Sequence, residues 1–127
     1  MTYSFGKKSR DRLVGVHPDL VRVMERAIEI TKFDFVITEG VRSFARQEQL
    51  FKSGASKTMR SRHLTGHAVD IAPYLDGSPR WDWPPFYIVA AAIKQAASEL
   101  KVDVRWGGDW LTFKDGPHWE LSWKGYP

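Results

Sequence analysis

His63, Asp70, Asp115 and His118 are the residues of this chain whose types and spacing could do chemistry. The stretch SRHLTGHAVDIA (61–72) holds His63 and His67 four apart, with Asp70 three further on. A histidine pair at i, i+4 can grip a metal when it lies on a helix with a glutamate between to act as base. Here Leu64, Thr65 and Gly66 lie between, no glutamate is present, and the glycine disfavours a helix. The residues from His67 onward read instead as a strand, whose side chains alternate between faces. His67, Val69 and Ile71 then share one face, and Ala68 and Asp70 the other. That leaves His63, before the turn, as the partner of Asp70, with Gly66 bending the backbone so that they meet.

Two ligands make a weak metal site, since a catalytic zinc takes three protein ligands and keeps one position open. There is no cysteine, so any transition metal must be held by His, Asp or Glu. Of the remaining histidines, His17 opens a helix and reads as a cap, whereas His118 begins the short strand HWEL after Asp115-Gly116-Pro117. His118 is therefore the preferred third ligand. Asp115, three residues upstream, could stand beside an attacking water as general base. Asp109, in GGDW, is a rival base, with a turn-forming role as its plainer explanation. Spacing alone does not separate a catalytic metal site from a structural one. Trp106, Trp110 and Trp119 could line a cleft, but aromatics at such spacing are more often core and are left outside the site.

The elements that must position these groups can be read from patterning. HPDLVRVMERAIEITK (17–32) carries Leu20, Val23, Met24, Ala27 and Ile28 on one stripe and reads as the first helix. FDFVITEG (33–40) alternates as a strand. VRSFARQEQLFKSG (41–54) reads as a helix capped at Ser43 and stopped by Gly54, and 55–66 as a polar loop. A strand follows at 67–73 and turn signals at 76–85. The longest helix falls at 84–101, with Phe86, Val89, Ile93, Ala97 and Leu100 on one face. Residues 102–110 read as a strand entering a glycine turn, and 118–123 as a short last strand. The order favours an α+β fold, a small, mainly antiparallel sheet with helices packed on it.

With 127 residues, of which 43% are hydrophobic, one domain with a substantial core is expected. The N-terminus lacks the apolar segment of a signal peptide, and the run FYIVAAAI (86–93) is far too short to span a bilayer. Net charge is +4. It suits nucleic acid, anionic membrane or anionic cell wall about equally. No nucleic-acid-binding motif accompanies it, and basic runs such as KKSRDR (7–12) and KTMRSR (57–62) read as solvated surface.

The pattern S-x-H-x-x-G-x-A-x-D, formed by Ser61, His63, Gly66, Ala68 and Asp70, is followed by D-x-x-H at Asp115 and His118. This resembles the zinc D-Ala-D-Ala peptidase family, whose fold is shared with Hedgehog signalling domains. Within it the chain is most similar to bacteriophage endolysins that act as L-alanyl-D-glutamate endopeptidases. FGKKSRDRLVGVHPDL, TEGVRSFARQEQLFKSGAS, WDWP and WGGDW…FKDGPHWEL carry the likeness along essentially the whole chain.

The resemblance implies a Hedgehog/DD-peptidase-like fold over residues 1–127, acting as a single zinc peptidase domain with no separate cell-wall-binding domain. It implies Zn2+ on His63, Asp70 and His118, with Asp115 as base where many relatives carry Glu. Arg42 would bind the substrate carbonyl and steady the oxyanion, a fixed cation aimed where negative charge develops. Ser61 and Gln49 match recurrent positions near the cleft. The implied reaction is hydrolysis of the L-Ala–D-Glu bond of the peptidoglycan stem, during host lysis. The alternatives are a D,D- or L,D-carboxypeptidase or dipeptidase of the same family, or a non-catalytic zinc-containing wall-binding module. The implied setting is a monomer without nucleic-acid partner or stable membrane insertion. It would accumulate in the host cytoplasm and reach the wall through a holin-type pore.

Overall fold

Pro18 fits the first turn of a helix because its fixed φ is already helical and its missing N–H has no partner to lose there. In the computed structural model, which describes residues 2–56 and 58–127, that helix is the second of four. The helices are α1 (Lys7–Arg12), α2 (Pro18–Ile30), α3 (Phe44–Lys52) and α4 (Trp83–Leu100). His17 caps α2 as anticipated, its Nδ1 accepting from the Asp19 N–H at 3.1 Å. The stripe Leu20, Val23, Met24, Ala27 and Ile28 is buried, facing α4, which contributes Phe86, Val89, Ile93 and Ala97. Leu100, placed on that face by its spacing, is only partly buried. Burying one such aliphatic side chain is worth about 1.5–3 kcal/mol. The shared apolar face, more than intrinsic propensity, therefore holds these helices.

The strands are β1 (Phe35–Glu39), β2 (Ala68–Leu75), β3 (Ser78–Pro79), β4 (Val104–Trp106) and β5 (His118–Leu121). They form a sheet in the order β1-β2-β5-β4, with β3 folded back on the end of β2, and every pairing is antiparallel. Phe35, Ile37, Val69, Ile71, Trp119 and Leu121 enter the core with the helices. The expected α+β architecture is the observed one.

The basic run KKSRDR is not merely solvated surface; it forms α1, so 17–32 is the second helix rather than the first. The missed signal is polar. Ser9 is buried, and its Oγ accepts from the Ile37 N–H at 3.1 Å, while Arg12 donates to the Ile37 carbonyl at 3.0 Å. α1 thereby satisfies backbone groups of edge strand β1 where its register slips between Ile37 and Glu39. The polar loop at 55–66 also ends in structure, a 3-10 turn at Arg62–Thr65.

Candidate active site

Strand register builds one side of the site. Glu39 pairs with Asp70 across β1 and β2, and Asp70 pairs with His118 across β2 and β5. Directly opposed residues of antiparallel strands share a face, so three chemically active side chains form a row across the sheet. His63 comes to that row from the 3-10 turn. Ser61 caps the turn, its Oγ accepting from the His63 N–H at 3.2 Å. Gly66 ends it at φ +77°, where an added Cβ would stand 2.6 Å from the Gly15 carbonyl oxygen. Only glycine meets both demands.

His63 Nε2 lies 3.2 Å and His118 Nδ1 3.3 Å from the same oxygen, Asp70 Oδ1. One potential ligand atom from each residue lies within 4.8 Å of the others. The outward nitrogens are anchored too. His63 Nδ1 donates to the Gly40 carbonyl at 2.8 Å, and His118 Nε2 stands 2.7 Å from Glu120 Oε1. Metal-binding histidines are oriented in this way by a hydrogen bond on the far ring nitrogen. Both rings are buried.

Burial pulls the His118 imidazole down, but its bonds to Asp70 and Glu120 outweigh that and push it up to about 9. Burial raises the Asp70 carboxyl, yet hydrogen bonds from His118 and His63 hold it far below the usual carboxylate range. Nε2 of His63 and Nδ1 of His118 both face Asp70 Oδ1, the edges that a cation would take. Two nitrogens and one carboxylate converging on a single point, with their outer edges tied, fit the donor set of a catalytic zinc.

Arg42 flanks the row. Its guanidinium pairs with Glu39, donates to Gln47 Oε1 at 2.6 Å and lies 3.8 Å from Asp70 Oδ2. Ser43 caps α3 directly after it, its Oγ accepting from the Arg46 N–H at 3.1 Å. Asp115 closes the site from the segment between β4 and β5. Its amide donates to the Gly107 carbonyl at 3.0 Å, and its own carbonyl accepts from the His118 N–H at 3.2 Å. A side chain at position 107 would collide with the Asp115 backbone. The Asp115 carboxylate accepts no hydrogen bond from the described residues. Burial first, and then the charge of Asp70, push it up, the direction that brings a carboxylate toward general-base work near neutrality. Asp109, the rival base, is exposed and paired with Lys94 at 2.8 Å.

All of these groups open onto one cleft of about 1570 Å³. Among the residues expected there, His63, Asp70, His118, Asp115, Arg42 and Ser61 line it. Gln49 does not; it lies on the exposed face of α3. Gln47, two positions earlier, is fully buried and joins Arg42 to Ser56 and the Thr58 carbonyl. The α3 stripe turns 47, not 49, toward Arg42, and 100° per residue separates the two faces. Trp106 and Trp119 are core, stacked with ring centres 5.5 Å apart. Trp110, set aside with them, instead stands 5.3 Å from the His118 ring at the cleft. Glu120, which the sequence motifs do not single out, also belongs to the site. Its signal was present, because residues i and i+2 of a strand share a face.

An α+β domain in which a His-Asp-His cluster that could hold a metal stands beside an arginine and a carboxylate has the parts a metallohydrolase needs. A family model for phage L-alanyl-D-glutamate peptidase matches residues 1–122, and the chain belongs to that family. It is 40% identical over 114 residues to the L-alanyl-D-glutamate peptidase of Escherichia phage T5, covering 87% of this chain and 83% of that one. The crystal structure of the Serratia marcescens L-Ala D-Glu endopeptidase ChiX superposes with a TM-score of 0.94 at 45% identity, covering 99% and 95% of the two chains. The vancomycin-resistance D,D-dipeptidase VanXYg, at 17% identity and a TM-score of 0.54 over 84% of this chain and 50% of that one, shares the fold.

Proposed function

We propose that this protein hydrolyses the L-Ala–D-Glu bond of the peptidoglycan stem with a zinc ion held by His63, Asp70 and His118. The observation that carries the reading is the convergence of those three ligand atoms within 4.8 Å, beside Arg42 and Asp115. A zinc ion there would supply a Lewis acid that acidifies water and polarises a carbonyl. Asp115 takes the proton of the attacking water and returns it to the leaving amine. Arg42, held in place by Glu39 and Gln47, directs its charge to the carbonyl oxygen as negative charge develops. Ser61 and Gln47 keep His63 and Arg42 in position for that step.

Residues 1–127 act as one catalytic domain and work as a monomer. No helix among the described residues is long and apolar enough to cross a membrane. An endolysin role places the protein in the host cytoplasm until a holin-type pore admits it to the wall. The test is digestion of purified peptidoglycan with mass spectrometry of the products, using protein stripped by chelator and then given zinc. Stem peptides bearing a new N-terminal D-Glu, released only after zinc is restored, are the expected result. Loss of terminal D-Ala alone would reassign the protein as a carboxypeptidase. Zinc binding with no cleavage would make it a binding module.

A further inference from the structure

Most charges lining the cleft are already committed to partners. Arg42 is engaged by Glu39 and Gln47, Lys94 by Asp109, and Arg105 by Asp103. Arg62 donates to the carbonyls of Leu121 and Ser122 and lies over the Trp123 ring. Three lining cations differ, Lys114 beside Asp115 and the two arginines Arg46 and Arg60. Both arginines line the cleft, both are exposed, and neither guanidinium has an ion-pair partner among the described residues. Their segments are joined. Arg46 follows Arg42 by four positions and shares the cleft-facing stripe of α3 with Leu50. Arg60 lies on the segment before Ser61, which buried Gln47 fastens to α3 through Ser56 and the Thr58 carbonyl.

We infer that Arg46 and Arg60 form a carboxylate subsite that selects substrates whose residue on the nitrogen side of the scissile bond keeps a free carboxyl group. This rests on the L-Ala–D-Glu reading. A glutamate in a peptide chain uses one carboxyl group for its onward bond and leaves the other free, so that charge sits within one residue of the reacting carbonyl. Two planar, permanently charged forks suit such a group, since arginine binds carboxylates bidentately. Arg42 cannot serve both purposes, because its guanidinium is held against Glu39, Gln47 and Asp70.

The test compares kcat/KM for a synthetic L-Ala–D-Glu stem peptide and for the same peptide with that free carboxyl converted to the carboxamide. Wild-type protein is expected to favour the acid by about tenfold or more, the range for hydrogen bonds to a charged group. In Arg46→Ala/Arg60→Ala the ratio falls toward one, mainly through KM on the acid. Lys7→Ala/Lys8→Ala removes the same charge from α1, away from the cleft, and keeps the wild-type ratio. Three results would overturn the subsite: a wild-type ratio near one, a ratio that survives in the arginine variant, or an equal collapse in the lysine variant. The last would mean a long-range field rather than a contact. Cleavage of neither peptide would instead remove the L-Ala–D-Glu reading, and the subsite with it.

Discussion

The sheet row and the Asp115 segment are two sides of one cleft, built by different means. On the sheet side, ladder register sets Glu39, Asp70 and His118 abreast, and each active group has a second partner. On the other side, Asp115 is held through its backbone while its carboxylate is left open. The first arrangement suits groups that must grip a cation in fixed geometry. The second suits a group that must gain and lose a proton during each turnover. The two regions should therefore fail differently when altered.

The largest effect is expected on the sheet side. His63→Ala should reduce bound zinc from one per chain to none and abolish turnover, checked by metal analysis of purified protein alongside peptide cleavage. Retention of stoichiometric zinc would mean that the row is not the metal site. Glu120→Gln tests a finer point. It keeps the shape but weakens the hold on the far edge of His118, and zinc affinity should fall roughly 10–100-fold. Competition with a chelating dye measures this, and turnover should recover at saturating zinc.

A smaller effect concerns protons. In the metal-free fold His118 is pushed up to about 9, above the value near 6.5 of an unfolded chain. Its protonated form therefore stabilises the metal-free fold below about pH 6.5, and that contribution is lost as pH rises through about 9. Zinc needs the neutral imidazole, so loading near pH 7 must release a proton, and affinity should rise with pH by up to about tenfold per unit. Calorimetry in two buffers of different ionisation enthalpy reads the proton count. A count of zero would mean that His118 is already neutral in the metal-free protein.

The same contrast explains what was legible in the sequence. The meeting of His63 and Asp70 is legible because strand alternation and one glycine fix it, and both are local features. The stripes of α2 and α4 were legible because burial leaves a 3.6-residue signature. What escaped was polar and long-range. Ser9 and Arg12 serve a strand some 25 residues away, and no periodicity marks that. Gln49 is expected near the cleft from the family resemblance alone, whereas Gln47 is the residue that binds Arg42, a contact that no local pattern marks. Sequence alone groups Trp110 with the core tryptophans, since composition does not distinguish a ring that lines a cleft from one that fills a core.

If the proposed roles hold, metal holding and proton transfer are separate duties of the two sides. The direct measurement is turnover and zinc content of Asp115→Asn, taken on the same preparation. Zinc should remain at one per chain while kcat falls roughly 10²–10⁴-fold, and Asp109→Asn, whose native partner is Lys94, should leave kcat near wild type. Full activity in Asp115→Asn, or loss of its zinc, would contradict that separation.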